Sequence, residues 1–161
     1  MSKRLQKISP FLWFDTQAEE AARFYTSIFN NSKIVGMTRY GDAGPGPKGS
    51  VMTIAFELEG QEFVALNGGP VFKFTEAISF VVNCESQDEV DKFWEKLSAG
   101  GQEIECGWLK DKYGLCWQIV PTILPQLLQD KDQQKAQRVM KAILQMKKID
   151  IAGLKKAYEQ G

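Results

Sequence analysis

The sequence predicts an α+β fold: paired βαβββ modules forming a curved mixed sheet around a cavity, helices outside, and a helical C-terminal extension. Three observations carry that prediction. Each half of the chain opens on a short apolar run followed by one amphipathic helix, and each helix is followed by strand-like runs rather than a second helix. The two halves also repeat at a constant offset of 69, pairing Phe11 with Phe80, Glu20 with Glu89, Arg23 with Lys92, Phe24 with Phe93, Tyr25 with Trp94 and Ile28 with Leu97. Neither half covers both faces of its own sheet, so two halves side by side should share one.

Residues 8–15 (ISPFLWFD) read as the first strand. Asp15 or Thr16 can cap the helix that follows, with Glu19 and Glu20 in its first turns, where the helix dipole favours acids. Ala21, Phe24, Tyr25 and Ile28 make its apolar stripe. Strands are expected over 33–40, 50–59 and 62–67, with Glu59-Gly60 as a hairpin turn. Between the first two, YGDAGPGPKGS lacks the phosphate-loop pattern and the N–H groups at Pro45 and Pro47, so it reads as a mobile loop. Such a loop could flap over the cavity mouth and bring Lys48 to an anionic ligand.

Gly68-Gly69-Pro70 joins the halves. The run 77–84 (AISFVVNC) repeats the first strand, Ser86 and Glu89 form a capping-box pair, and Val90, Phe93, Trp94 and Leu97 repeat the stripe up to the Gly100-Gly101 stop. Strands follow over 103–110 and 115–120, with a turn from Asp111 to Gly114 between them. The tail has Ala136, Val139, Met140, Ile143 and Leu144 at helical spacing, then Asp150 capping a second helix with Ile151, Leu154 and Tyr158. The division is one domain over 1–128, with modules at about 6–69 and 75–122, and an extension over 129–161.

Composition narrows the chemistry. Basic and acidic residues balance at 20 each, which offers no field for nucleic acid or an anionic membrane. The tail's surplus of eight basic over four acidic groups is most simply a solvated face. There is no histidine, which removes the commonest acid/base and the histidine-dependent nucleophiles. Cys84, Cys106 and Cys116 lack a metal or disulfide spacing and read as buried thiols of a cytoplasmic protein. The N-terminus shows no signal-peptide pattern, and no apolar run approaches the roughly 20 residues of a membrane span.

A period of two sorts the strands into faces. Cys116, Gln118 and Val120 share one side of the last strand, and Trp117 and Ile119 the other. Ala77, Ser79 and Val81 separate in the same way from Ile78, Phe80 and Val82. The bulky sides should pack on the helices. The smaller sides should line the cavity, joined by Phe63, Ala65 and Asn67 from the first half. Gln118, Asn67 and Ser79 are then the convergent polar groups of an apolar pocket. Trp108, beside Gly107, and Tyr40, bordering the loop, are further ligand-facing candidates. An inward glutamine has the alternative of being satisfied by backbone or buried water.

The phrases FLWFDTQAEEAARFYTSIF, NC-x-S-x-DEVDKFWEKLSAGG and DKYGLCWQIVP, with the paired modules, resemble the vicinal-oxygen-chelate superfamily. Within it they are most similar to the PhnB-like branch, labelled 3-demethylubiquinone-9 3-methyltransferase, over roughly residues 6–125. The resemblance implies a sheet rolled round a cavity, a small-molecule ligand and a homodimer. It also implies up to four inward metal ligands, which fall here on Ile8, Ala65, Ala77 and Gln118. Only Gln118 has a ligating atom, so no metal or other cofactor is expected. Methyl transfer finds no support, because no glycine-rich turn follows the first strand. The leading expectation is a metal-independent small-molecule-binding protein. The alternatives are a metal-dependent lyase, isomerase or dioxygenase-type enzyme with carboxylates placed elsewhere, and a protein-interaction module. Any acid/base would have to come from groups such as Glu62, Glu105 or Tyr40.

Overall fold

The computed structural model describes residues 5–160, so positions 1–4 of the N-terminus read above lie outside the described residues. The chain forms two compact units, one ending at Lys73 and the other beginning at Phe74.

The first unit contains β1 (Phe11–Phe14), α1 (Ala18–Ile28), β2 (Lys33–Arg39), β3 (Val51–Leu58) and β4 (Gln61–Asn67). Its sheet runs β1-β4-β3-β2, with β1 parallel to β4 and the other pairs antiparallel. β1 is shorter than the expected run 8–15. Pro10 has no N–H for the ladder, and the strand starts just after it. Ala21, Ala22, Tyr25 and Ile28 form the buried stripe of α1. Tyr25 stacks on Phe56 at 6.2 Å, and Phe56 on Phe63 at 5.4 Å. Burying each such ring contributes roughly 1.5–3 kcal/mol. Neither Asp15 nor Thr16 caps α1. The N-cap is Gln17, without a side-chain bond, and the capping acceptor comes instead from the end of β4. Asn67 Oδ1 accepts from the Ala18 N–H at 2.8 Å, while Asn67 Nδ2 donates to the Val51 carbonyl at 3.1 Å. The Glu59-Gly60 hairpin is as expected, with φ of 48° and 77° as a primed turn requires.

The second unit contains β5 (Ser79–Cys84), α2 (Gln87–Ser98), β6 (Gln102–Glu103), β7 (Trp108–Lys110), β8 (Cys116–Pro121), α3 (Ile123–Leu128), α4 (Gln133–Ile143) and α5 (Ile151–Glu159). Its sheet runs β5-β8-β7-β6, again with one parallel pair, β5 with β8. The expected capping pair at α2 forms, with the return bond one residue earlier than in a strict capping box: Ser86 Oγ accepts from the Glu89 N–H at 3.2 Å, and the Glu89 carboxylate accepts from the Glu85 N–H at 3.0 Å. The single strand expected over 103–110 is broken, because Cys106 and Gly107 turn the backbone at φ of 61° and 83°. Asp111, only 2% exposed, organises the next turn. Its carboxylate accepts from the Tyr113 and Leu115 N–H groups at 2.9 and 3.0 Å and from Trp117 Nε1 at 2.9 Å.

The tail starts earlier than expected, with α3 directly after β8. Leu124, Val139, Ile143, Ile149 and Leu154 make a core of their own, against which Cys106 and Val120 pack. Met140 and Leu144, predicted on the buried stripe, stay 40% and 57% exposed. Among the described residues no helix is long and apolar enough to cross a membrane.

Candidate functional site

The residues expected to line one site divide between the two units. In the second, the ladder pairs Val81 with Gln118 and Trp108 with Gln118. Alternation from that register puts Ser79, Val81, Trp108, Cys116, Gln118 and Val120 on one side of the sheet. Trp117, Ile119, Phe80 and Leu109 lie on the other, where α2 packs. The predicted faces of β5 and β8 are therefore those observed. Gln118 Nε2 donates to Ser79 Oγ at 2.9 Å, and among the described residues this is the Gln118 side chain's one hydrogen bond. The pair is half-buried, with Val81 50% exposed beside it. Ala77 is not part of this face, since it lies in the turn before β5.

Cys116, at one end of the face, is fully buried. Burial pushes its thiol up. Lys110, opposite Cys116 in the ladder, pairs with Glu76, and their hydrogen bond raises the lysine and lowers the carboxyl. Sequence reasoning missed this ion pair. The period of two from Trp108 already placed Lys110 on the site's side, but Glu76 sits in a turn that has no period. Cys84 is held neutral more strongly, pushed from 9.0 up to about 12 by burial and then by the charge of Glu89. Neither thiol is a thiolate nucleophile near neutral pH.

In the first unit the expected face is the wrong one. Phe63 and Ala65 are buried on the α1 side with Leu12, Phe14, Ile54 and Phe56, and Asn67 is occupied as the remote cap of α1. The open side carries Phe11, Trp13, Val64 and Leu66 instead. Ile8 precedes β1 and is exposed. The cause is a one-residue slip. The helices repeat at 69, but β1 and β5 match in facing at 70, with Leu12 answering to Val82 and Phe14 to Cys84. A shift of one reverses every side chain on a strand. By that corrected register the first-half counterpart of Gln118 is Val64.

Tyr40 and Asn67 meet elsewhere, at a cleft of about 390 Å³ lined also by Asp15, Glu19, Pro45 and Pro47. Tyr40 is buried and donates its hydroxyl to the Asn67 carbonyl at 2.5 Å. The loop after it is not a flap: Gly44 and Gly46 clasp the Tyr40 ring, and a Cβ on either would run into it. Lys48 is paired with Asp42 at 2.9 Å. Glu62 is bound by Gln6 at its carboxylate and carbonyl, and Glu105 lies exposed in the turn before β7.

The metal set implied by the resemblance does not fit. One of its positions is an exposed isoleucine, one a core alanine and one a turn alanine, leaving a single neutral amide. Among the described residues no three His, Cys, Asp or Glu side chains converge on a metal position.

The family model for 3-demethylubiquinone-9 3-methyltransferase matches residues 6–120. The PhnB protein from Bacillus cereus, which carries the same methyltransferase description, is 41% identical over 73% of this chain and 100% of its own, with a TM-score of 0.67. PA1353 from Pseudomonas aeruginosa is 20% identical over 73% and 98% of the two chains, with a TM-score of 0.61. The fosfomycin resistance protein FosX from Listeria monocytogenes is 17% identical over 81% and 100%, with a TM-score of 0.52. These last two share the fold. No curated protein matches the chain. The paired modules, the family match and the Bacillus cereus likeness together make this chain a PhnB-like member of the 3-demethylubiquinone-9 3-methyltransferase family.

Proposed function

We propose that this protein binds a small, partly apolar molecule on the open face of β5, β8 and β7, with Gln118 and Ser79 as its polar contacts, and that it does so without a metal. The observation that carries the reading is the Gln118–Ser79 hydrogen bond on a half-exposed face, flanked by Trp108 and Val81. A carboxamide held by one bond keeps an acceptor oxygen and an N–H to offer, and the indole and valine supply apolar area. Methyl transfer gains no support: β1 runs into α1 through Asp15-Thr16-Gln17, without a glycine turn for a nucleotide-like cofactor, and the sheet is not doubly wound.

The test is a fragment screen on isotope-labelled protein, read at the Gln118 side-chain amide and, in the variant that lacks it, at the indole N–H of Trp108, the ladder partner of Gln118. Fragments should move the Gln118 resonance, and Gln118→Ala should weaken them about tenfold while leaving the melting curve in place. Fragments that bind with equal affinity to the variant would reduce Gln118 to scaffold.

The protein is further proposed to act as a cytoplasmic homodimer. Cys84, Cys106 and Cys116 are free thiols, and Phe11, Val71, Phe72 and Ile78, each at least 60% exposed, are apolar side chains that a second copy could cover. Sedimentation at micromolar concentration should give twice the chain mass of 18.2 kDa, and a single-chain mass would discard the dimer.

A further inference from the structure

We infer that the molecule bound at Gln118 carries a carboxylate, which Lys110 receives in place of Glu76. The inference rests on the binding role of Gln118 just argued and adds the charge of what binds there.

The ladders set the neighbours. Across β5, β8 and β7 one row reads Ser79, Cys116, Lys110, and the next reads Val81, Gln118, Trp108. Lys110 is therefore the diagonal neighbour of Gln118 on the antiparallel β7–β8 pair, about 7–8 Å away between backbones and within reach of a long side chain. Ser79 is the diagonal neighbour on the other flank, and there the reach is made, since Gln118 Nε2 donates to Ser79 Oγ at 2.9 Å. Cys116 lies between them, fully buried, and its thiol feels the charges of both Lys110 and Glu76. Amide, hydroxyl and ammonium thus surround one residue on one side of the sheet, each on a half-buried side chain.

Hydrogen-bond donors prevail in this group. Gln118 has its other N–H, Ser79 has its hydroxyl proton, and Lys110 has the ammonium hydrogens that Glu76 does not take. A carboxylate offers only acceptors and meets them with charge-assisted bonds. Trp108 and Val81, in the adjoining row, supply apolar contact for the rest of the molecule. Glu76 already displays the chemistry that Lys110 accepts, its carboxyl held low by the hydrogen bond from the lysine. It comes from the turn before β5 and its side chain is 59% exposed, so water competes for it and a bound carboxylate can displace it. Basic and acidic residues balance at 20 each, so no net charge on the protein draws anions to this face, and a preference for them has to be local.

The experiment titrates the full-length protein with benzoate and benzamide, alike in shape and different in charge. NMR reads the Gln118 side-chain amide and the Trp108 indole N–H. Benzoate should bind about fivefold tighter than benzamide. Lys110→Met, which keeps the aliphatic stem, should erase that advantage. Glu76→Gln should widen it about threefold, because a competing carboxylate is gone. Opposite responses from the two partners separate recognition from scaffolding, since a merely structural ion pair would make both variants fail alike. Glu76 is exposed, so its variant keeps the test open should Lys110→Met melt without cooperativity. Equal affinity for the two probes, a benzoate advantage that survives in a folded Lys110→Met, or a Glu76→Gln that narrows it overturns the carboxylate and leaves the binding role of Gln118 standing. Probes that move neither resonance sink the binding role and the carboxylate together.

Discussion

The two units use one plan and pin it differently. In the first, a single amide at the end of β4 does the work of a cap from 49 residues away, joining α1 to β3 through Asn67. In the second, local groups suffice: Ser86 and Glu89 begin α2, and Asp111 shapes the turn that delivers Trp117 to the helix side. The outcome for the open faces is opposite. The first unit's face is apolar, with Trp13 edge-on to Phe72 at 4.9 Å, whereas the second keeps a polar pair in reach of solvent. What separates them is which residue secures the register, since one step decides which side chains face out.

Breaking the anchors in turn sharpens that contrast. Asp111→Ala strands two backbone donors and the Trp117 indole, and should cost about 3–4 kcal/mol in urea unfolding. A loss under 1 kcal/mol would mean the turn holds β8 without it. Asn67→Ala should cost about 2–3 kcal/mol, because it removes both the cap acceptor of α1 and a bond to β3. Finding it milder than the local cap would dissolve the difference between the units.

The cysteine contribution to alkaline sensitivity should fall on the second unit, since all three cysteines lie there. The folded Cys84 thiol keeps its proton to about 12, while an unfolded one gives it up near 9.0. Stability therefore declines from about pH 9 upward by roughly 1.4 kcal/mol per pH unit, with Cys116 adding in the same direction. Chemical unfolding measured from pH 8 to 11 should show a shallower decline in Cys84→Ala. The smallest effect is Ser86→Ala, at about 1 kcal/mol, seen in the thermal midpoint.

The same contrast explains what could be read from the residues. Strand-helix order, the α2 capping box, the Glu59-Gly60 turn and the sides of β5 and β8 all rest on neighbours within a few positions, and these were legible. The β4 face was not. Nothing near Asn67 in the chain shows that it caps a helix starting at Ala18, and without that contact the strand reads equally well in either phase. The offset of 69 made matters worse by carrying a helix register into a strand. Ile8, 69 residues before Ala77, shares that offset, while Ala65 was misplaced by the phase of β4 itself. Gln118 escaped it, because Trp117 and Ile119 on either side leave it only one direction. The burial of Tyr40 was hidden for a different reason: glycines that grip a ring look like glycines that merely bend.

That grip bears on attempts to re-engineer the segment. Residues 41–49 have the composition of a tether that could be trimmed or used to splice in a tag, but they are the packaging of an aromatic side chain. Excising them would leave the Tyr40 ring bare and loosen the Asn67 carbonyl it holds, so an insertion meant to be silent would be felt at the start of α1.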